Sequence, residues 1–164
     1  MAVYYLETSA LLKRYRAEKG TELLDELFNH KTESEVFTTS YFTVLEVTSV
    51  ATRLLRAGNI NRRAHQQLLG DFALDMRQLI MSQPVSQGAL NQAVNLITGY
   101  ALRAPDALQL ATAIVLRSSV PNQPFYFLCT DARLKAASEA SGVPVLDPEA
   151  ANGVDMLRGY RRGG

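Results

Sequence analysis

The feature that most constrains this chain is its rhythm. Short runs of β-branched and aromatic residues alternate with longer stretches of helical periodicity, and that alternation suits a parallel sheet whose strands are joined by helices. Ala2–Leu6, Glu35–Thr39, Phe125–Cys129 and Val143–Leu146 read as strands, and Met81–Val85 is open between a short strand and a loop. Thr8 and Ser9 suit the cap of a helix reaching about Glu18, with Gly20 just past its end. Further helices are expected over Thr21–Phe28, from a Ser40 cap to Ala57 with Gly58 as the stop, and over Arg62–Leu79. In the second half, helices are expected from Ser86 to Ala101, from Pro105 in a first turn to about Ser118, and from Ala132 to Ser141. Asp147-Pro148 stops the last strand, and Gly159–Gly164 reads as a frayed end. The expected class is α/β with a parallel sheet.

At 164 residues the chain suits one domain. Roughly 70% of the unfolded surface can be buried at that size, so the fold does not depend on a disulfide or a structural metal. The single cysteine, Cys129, excludes an internal disulfide and a cysteine-cluster zinc site, and its place on an apolar strand reads as core. No linker, repeat or low-complexity block interrupts the sequence. Residues 1–148 are taken as the domain and 149–164 as a partly flexible C-terminal tail. A net charge of +1 advertises no long electrostatic grip on duplex nucleic acid. The chain opens on an apolar run rather than a basic segment with a cleavage site, and no apolar stretch approaches the ~20 residues of a transmembrane helix. A soluble, cytoplasmic protein without membrane association is the expectation.

Open α/β sheets place their ligands beyond the carboxyl ends of the strands. Glu7 stands directly after Ala2–Leu6, and Asp131 follows Phe125–Cys129 after one threonine. Two more acids lie on helix faces expected to be buried. Glu46 shares a stripe with Phe42, Ser49 and Val50, and Asp106 shares one with Leu110, Ala113 and Ile114. With the second of these helices starting at Pro105, neither acid has a lysine or arginine three or four residues away on its own helix. An ionised carboxylate on an apolar face is costly unless it is paired or binds metal. Taken singly, each acid also fits an ordinary role: Asp106 facing the helix dipole, Asp131 as an N-cap, Glu46 paired with a distant arginine, Glu7 as a loop acid. Taken together, carboxylates converging without histidine or cysteine suit a hard cation, Mg2+ or Mn2+, of the kind that assists phosphodiester hydrolysis. Other phosphate and hydrolase chemistries lack their motifs: there is no glycine-rich loop with a lysine and no G-x-S-x-G elbow. His30 and His65 have no ligand-spaced companion and read as surface residues.

The same residues carry a family resemblance. Val3-Tyr-Tyr-Leu-Glu-Thr-Ser-Ala-Leu-Leu-Lys13 resembles the opening strand and helix of PIN-domain nucleases, the VapC-type toxins especially. Thr43-Val-Leu-Glu46-Val resembles their second acidic motif, Arg103-Ala-Pro-Asp106-Ala-Leu-Gln-Leu-Ala-Thr-Ala113 the third, and Leu128-Cys-Thr-Asp131-Ala-Arg-Leu-Lys-Ala-Ala137 the fourth. The match runs in order from about Val3 to Pro148. It implies a PIN-like fold, a twisted parallel β-sheet flanked by helices on both faces. It also implies Glu7, Glu46, Asp106 and Asp131 as catalytic and metal-binding acids, with Thr8, Ser9 and Thr130 as hydroxyls that orient ligands or water. The implied activity is that of a Mg2+- or Mn2+-dependent endoribonuclease, with RNA as substrate, a VapB-like antitoxin as partner and a homodimer as assembly. Lys13 is a candidate phosphate contact beside the acids, its alternative being a solvated helix residue.

One departure stands out, because the family normally carries aspartate where this chain has Glu7. The added methylene pushes the carboxylate outward by ~1.5 Å, and a misplacement near 1 Å can lower a catalytic rate ~10²-fold. Glu7 therefore supports a rival reading, a catalytically weakened or inactive PIN-like module that binds RNA or a protein partner. The tail residues Arg158, Arg161 and Arg162, with Tyr160 between them, fit either an RNA contact or a disordered solubilising end, and the latter is preferred.

Overall fold

The strands β1 (Ala2–Leu6), β2 (Glu35–Ser40), β3 (Ile80–Gln83), β4 (Phe125–Leu128) and β5 (Val145–Leu146) form one sheet in the order β3-β2-β1-β4-β5. The coordinates are a computed structural model, which describes residues 1–162. Every neighbouring pair of strands is parallel. Parallel neighbours need crossovers, and the helices α1 (Thr8–Leu12), α2 (Thr21–Asn29), α3 (Phe42–Arg56), α4 (Arg62–Gln78), α5 (Gln87–Tyr100), α6 (Ala104–Ser119) and α7 (Ala132–Ala140) supply them, with α8 (Gly153–Arg162) following β5.

β1 is the central strand and is buried on both faces, as its unbroken apolar run requires. Tyr4 and Leu6 pack into a core with α1, α2, α3, α4 and α8, whereas Val3 and Tyr5 pack into a second core with α5, α6 and α7. The β1–β4 register stacks Tyr4 on Tyr126 at 5.4 Å and Tyr5 on Phe127 at 5.5 Å between ring centroids. The strand order reverses at β1, since β2 lies on one side of it and β4 on the other. A crevice therefore opens where β1 and β4 end. Leu6 pairs with Leu128, and the Glu7 N–H donates to the Leu128 carbonyl at 3.2 Å, so Glu7 and the segment from Cys129 to Asp131 leave the sheet side by side.

Ser40, expected to cap a helix, ends β2 and leaves Tyr41 at the cap of α3, and the last strand starts at Val145 rather than Val143. Three further departures bear on the site and the tail. The first helix ends at Leu12 instead of near Glu18. There Lys13, Arg14 and Tyr15 donate to carbonyls only three residues back, and the Thr21 hydroxyl takes the Lys13 carbonyl at 3.0 Å. The open segment at Met81–Val85 becomes β3, set one residue earlier and paired with Phe37–Ser40. The third difference is the tail. Residues 159–162, expected to fray, belong to α8, and Gly163 and Gly164 lie outside the described residues. Val154, Leu157 and Tyr160 share one face of α8, with Leu157 buried in the core and Tyr160 stacked on Tyr126 at 4.1 Å. Two tail arginines are engaged in ion pairs, Arg158 with Glu26 at 3.0 Å and Arg161 with Glu35 at 2.8 Å. Among the described residues no helix is long and apolar enough to cross a membrane.

The Glu35 pair makes the role of α8 measurable. Burial pushes the Glu35 carboxyl up, but the Arg161 guanidinium and the Thr32 N–H hold it below the ordinary value of 4.5. A carboxylate lowered in the folded state stabilises the fold above its unfolded value, and that contribution is lost as the pH falls through the folded value. Arg161→Ala is expected to destabilise the protein by ~3 kcal/mol at neutral pH, because it strands a buried carboxylate. Its thermal midpoint should fall by about 6–12 °C. In acid strong enough to protonate Glu35 in both proteins, calorimetry should show the gap narrowing.

Candidate active site

Each acid singled out in the sequence is held by a hydrogen-bond donor, three of them by one only two or three residues away. Glu7 is the N-cap of α1. Its backbone is extended and its Oε2 accepts from the Ser9 N–H at 3.0 Å and from the Ser9 hydroxyl. It is only 4% exposed. Burial raises its pKa to about 7, the two Ser9 hydrogen bonds oppose that rise, and the charges of Glu46 and Asp106 add to it. Asp131, which is exposed, caps α7 in the same manner, its Oδ1 accepting from the Leu134 N–H at 2.9 Å.

The two helix acids are half-buried. Glu46 meets no arginine among the described residues. Instead its Oε2 accepts from the Thr8 hydroxyl and from Gln109 Nε2, both at 2.6 Å. Asp106 does have a basic partner, which corrects the sequence reading. α6 starts one residue before Pro105 with Arg103 as its N-cap, and the Arg103 Nε donates to Asp106 Oδ2 at 2.9 Å.

All four acids line one cleft of about 660 Å³, together with Thr8, Ser9 and Thr130 and with Arg53 and Arg103. Arg53 reaches it because it lies seven residues after Glu46, on the same face of α3. Lys13 is absent from the lining. Its ammonium lies 2.7 Å from Glu149 and 3.2 Å from Glu18, and the residue is buried rather than solvated. Lys13 ties the end of α1 to the segment between β5 and α8. Cys129 is core, and burial pushes its thiol pKa up, away from nucleophile chemistry.

Beneath the cleft lies a polar network that the sequence reading missed. Gln109 is fully buried. Its Nε2 faces Thr8 Oγ1 at 2.9 Å, Thr43 Oγ1 at 2.8 Å and Glu46 Oε2, and its Oε1 accepts from the Tyr5 hydroxyl at 2.9 Å. Thr43 in turn meets the Thr39 hydroxyl at 2.7 Å, and Thr39 donates to the Leu6 carbonyl at 2.6 Å. The signal in the sequence was a glutamine inside an apolar stretch, Ala107-Leu-Gln-Leu-Ala111, where an unpartnered amide would be costly. The signal for Arg103 was its spacing of three from Asp106.

The donors at the cleft are oxygens throughout, the set that Mg2+ or Mn2+ prefers over softer metals. The repulsion that helps keep a proton on Glu7 is also what a dication would relieve. Among the described residues no three His, Cys, Asp or Glu side chains are gathered tightly enough to hold one ion in these rotamers. Each carboxylate is turned toward its own donor, so ligation by several of them requires side-chain rotation.

Fold and site together define an α/β protein with an acidic cleft at the point where its sheet changes direction. The PIN domain profile matches residues 4–139, and the chain belongs to the PIN domain family, whose members are generally metal-dependent nucleases. Two solved structures share the fold. One is a toxin-antitoxin complex from Klebsiella pneumoniae, 20% identical, with 90% of this chain and 98% of that chain covered at a TM-score of 0.55. The other is FitAcB from Neisseria gonorrhoeae, 16% identical, with 89% of this chain and 97% of that chain covered, also at 0.55. At these identities the likeness concerns the fold. A comparison with curated protein sequences gives no match.

Two measurements probe the site without substrate. A carboxyl whose pKa is raised on folding loses stability as the pH climbs from its unfolded to its folded value, here from 4.5 to about 7. Glu7→Gln should thus be more stable than the parent by ~3 kcal/mol above that window and equal to it below, in denaturant titrations with a chelator present. Gln109→Leu should destabilise the fold by about 3 kcal/mol, since buried hydroxyls and a carboxylate oxygen lose their partner; thermal unfolding reads this directly.

Proposed function

We propose that the protein is a Mg2+- or Mn2+-dependent endoribonuclease of the VapC type, acting as the toxin of a toxin–antitoxin pair. The observation that carries this reading is the cleft itself. Glu7, Glu46, Asp106 and Asp131 come from four separate segments and line one opening at the switch point of a PIN-family sheet. Glu7, Asp106, Asp131 and Glu46 would hold the ion. When bound, it supplies positive charge to the phosphate and the leaving oxygen and makes a water a better nucleophile.

The chain's own residues prepare that chemistry. Ser9 favours the ionised form of Glu7 through two hydrogen bonds to Oε2. Thr8 and Gln109 fix one oxygen of Glu46, which leaves Oε1 outside that pairing. Asp131 spends Oδ1 on its cap and keeps Oδ2 for the cleft. The Thr130 hydroxyl lines the cleft beside Asp131, where it would orient a ligand or water.

The toxin assignment, with a VapB-like antitoxin as partner, draws on the Klebsiella neighbour, which is a toxin-antitoxin complex. A homodimer is supported by α5, where Leu90, Val94 and Ile97 are exposed at helical spacing and form an apolar stripe. Action on RNA in the cytoplasm completes the reading.

Glu7 supports a second reading, in which the cleft binds RNA or a protein partner with weakened or no cleavage. One experiment separates the two: purified protein with mixed small RNAs and Mn2+, beside a chelated control and Asp106→Ala. Cleavage should be present in the parent, absent with chelator, and lowered at least ~10²-fold in Asp106→Ala. Glu7→Asp should cut faster than the parent. A folded parent that binds Mn2+ and leaves every RNA intact would transfer the assignment to the binding module.

A further inference from the structure

We propose that Arg103 and a divalent cation would compete for the Asp106 carboxylate, and that the displaced guanidinium binds a phosphate of the RNA strand. The inference rests on the reading of the cleft as a metal-dependent ribonuclease site. It begins from an asymmetry within the pair, since the Asp106 side chain is 14% exposed and the Arg103 side chain 80% exposed. Arg103 uses only its Nε on Asp106 Oδ2, and among the described residues its terminal nitrogens make no hydrogen bond. A guanidinium carries five N–H donors in a planar fork that matches a phosphate. Most of its capacity is therefore unused, on a residue that lines the cleft.

The hold on Arg103 is weak. Ion pairs this exposed are screened by solvent and salt, whereas a dication brings twice the charge to a site already lined by Glu7, Glu46 and Asp131. As the N-cap, Arg103 has an extended backbone outside the helical turns, so its side chain is not confined by a helix face. An RNA strand meets two obstacles at this cleft: the acids repel its phosphates, and one of its two arginines is engaged by one of those acids. A single exchange removes both. The cation neutralises the acids, and the released arginine gains a phosphate partner. Arg53, also at the cleft, has no carboxylate partner among the described residues and supplies a matched comparison, with the same charge and cleft but no ligand to compete for.

The test uses the full chain, with Mn2+ affinity from calorimetry and KM for mixed-sequence single-stranded RNA over a range of salt. Arg103→Ala should bind Mn2+ about threefold to fivefold more tightly than the parent, because its competitor is gone. The same variant should show KM raised about fivefold and a salt slope reduced by ~0.7. Arg53→Ala, which removes the same charge without freeing a carboxylate, should tighten Mn2+ binding less than Arg103→Ala does. A purely structural role for the Arg103 pair would move the thermal midpoint and neither binding term. Unchanged or weaker Mn2+ binding by Arg103→Ala overturns the competition while the nuclease reading stands. Tighter Mn2+ binding with KM and salt slope unaltered overturns the phosphate contact. A parent that neither binds Mn2+ nor cuts RNA removes the nuclease reading, and the inference with it.

Discussion

Carboxylates crowded at one end of a sheet repel each other, and the rest of this structure is arranged around that repulsion. Each acid is engaged by a donor set beside it: Ser9 for Glu7, the Leu134 N–H for Asp131, Arg103 for Asp106, and Thr8 with Gln109 for Glu46. Three of these arrangements are local in sequence and follow from how helices begin, where free N–H groups and the positive end of the dipole favour an acid. The fold can therefore bring four negative groups to one cleft because three are partly stabilised within their own segments. What remains of the repulsion shows in Glu7, the most buried of them, whose ionisation Glu46 and Asp106 oppose.

Glu46 is the exception, and it explains the polar network below. It sits in the body of α3, with no helix end to help it, so its stabilisation must be tertiary. Gln109 provides it from α6, and in doing so links Tyr5 of β1, Thr8 of α1 and Thr43 of α3. A satisfied buried network of this kind is costly to disturb, because every member left alone is unpaired in a low dielectric. The floor of the cleft is consequently fixed, whereas Asp106, Asp131 and Arg103 at the rim are tied by single contacts and are free to rearrange around a ligand.

What was legible in the sequence was whatever local physics decides. The apolar run of β1, the Ser86 cap of α5, the Asp131 cap of α7 and the positions of Glu7 and Asp131 beyond their strands all follow from short-range rules. What was illegible depended on partners far along the chain. α1 stops early because Thr21 claims the Lys13 carbonyl and Tyr15 reaches Asp75 at 3.0 Å. Lys13 leaves the cleft because Glu149, 136 positions away, offers it a closer carboxylate. α8 holds as a helix because Glu26 of α2 and Glu35 of β2, far along the chain, stand within reach of Arg158 and Arg161. Arg103 was missed for a smaller reason, since one residue at the start of α6 decides whether it counts as part of the helix.

The substitution at position 7 looks different once its geometry is known. From sequence, the additional methylene of glutamate means a carboxylate displaced outward. In the structure Glu7 is an N-cap that bends back to the N–H two residues on, the group a shorter capping side chain such as aspartate would also engage. Part of the extra length is spent in that bend rather than in reach toward the cleft. The two residues then differ in ionisation as well as in reach. Burial at 4% exposure raises the Glu7 pKa to about 7, so near neutral pH this carboxyl is only partly ionised. An acid of this kind competes with protons for a cation, and the charge that most favours its ionised form is the cation itself.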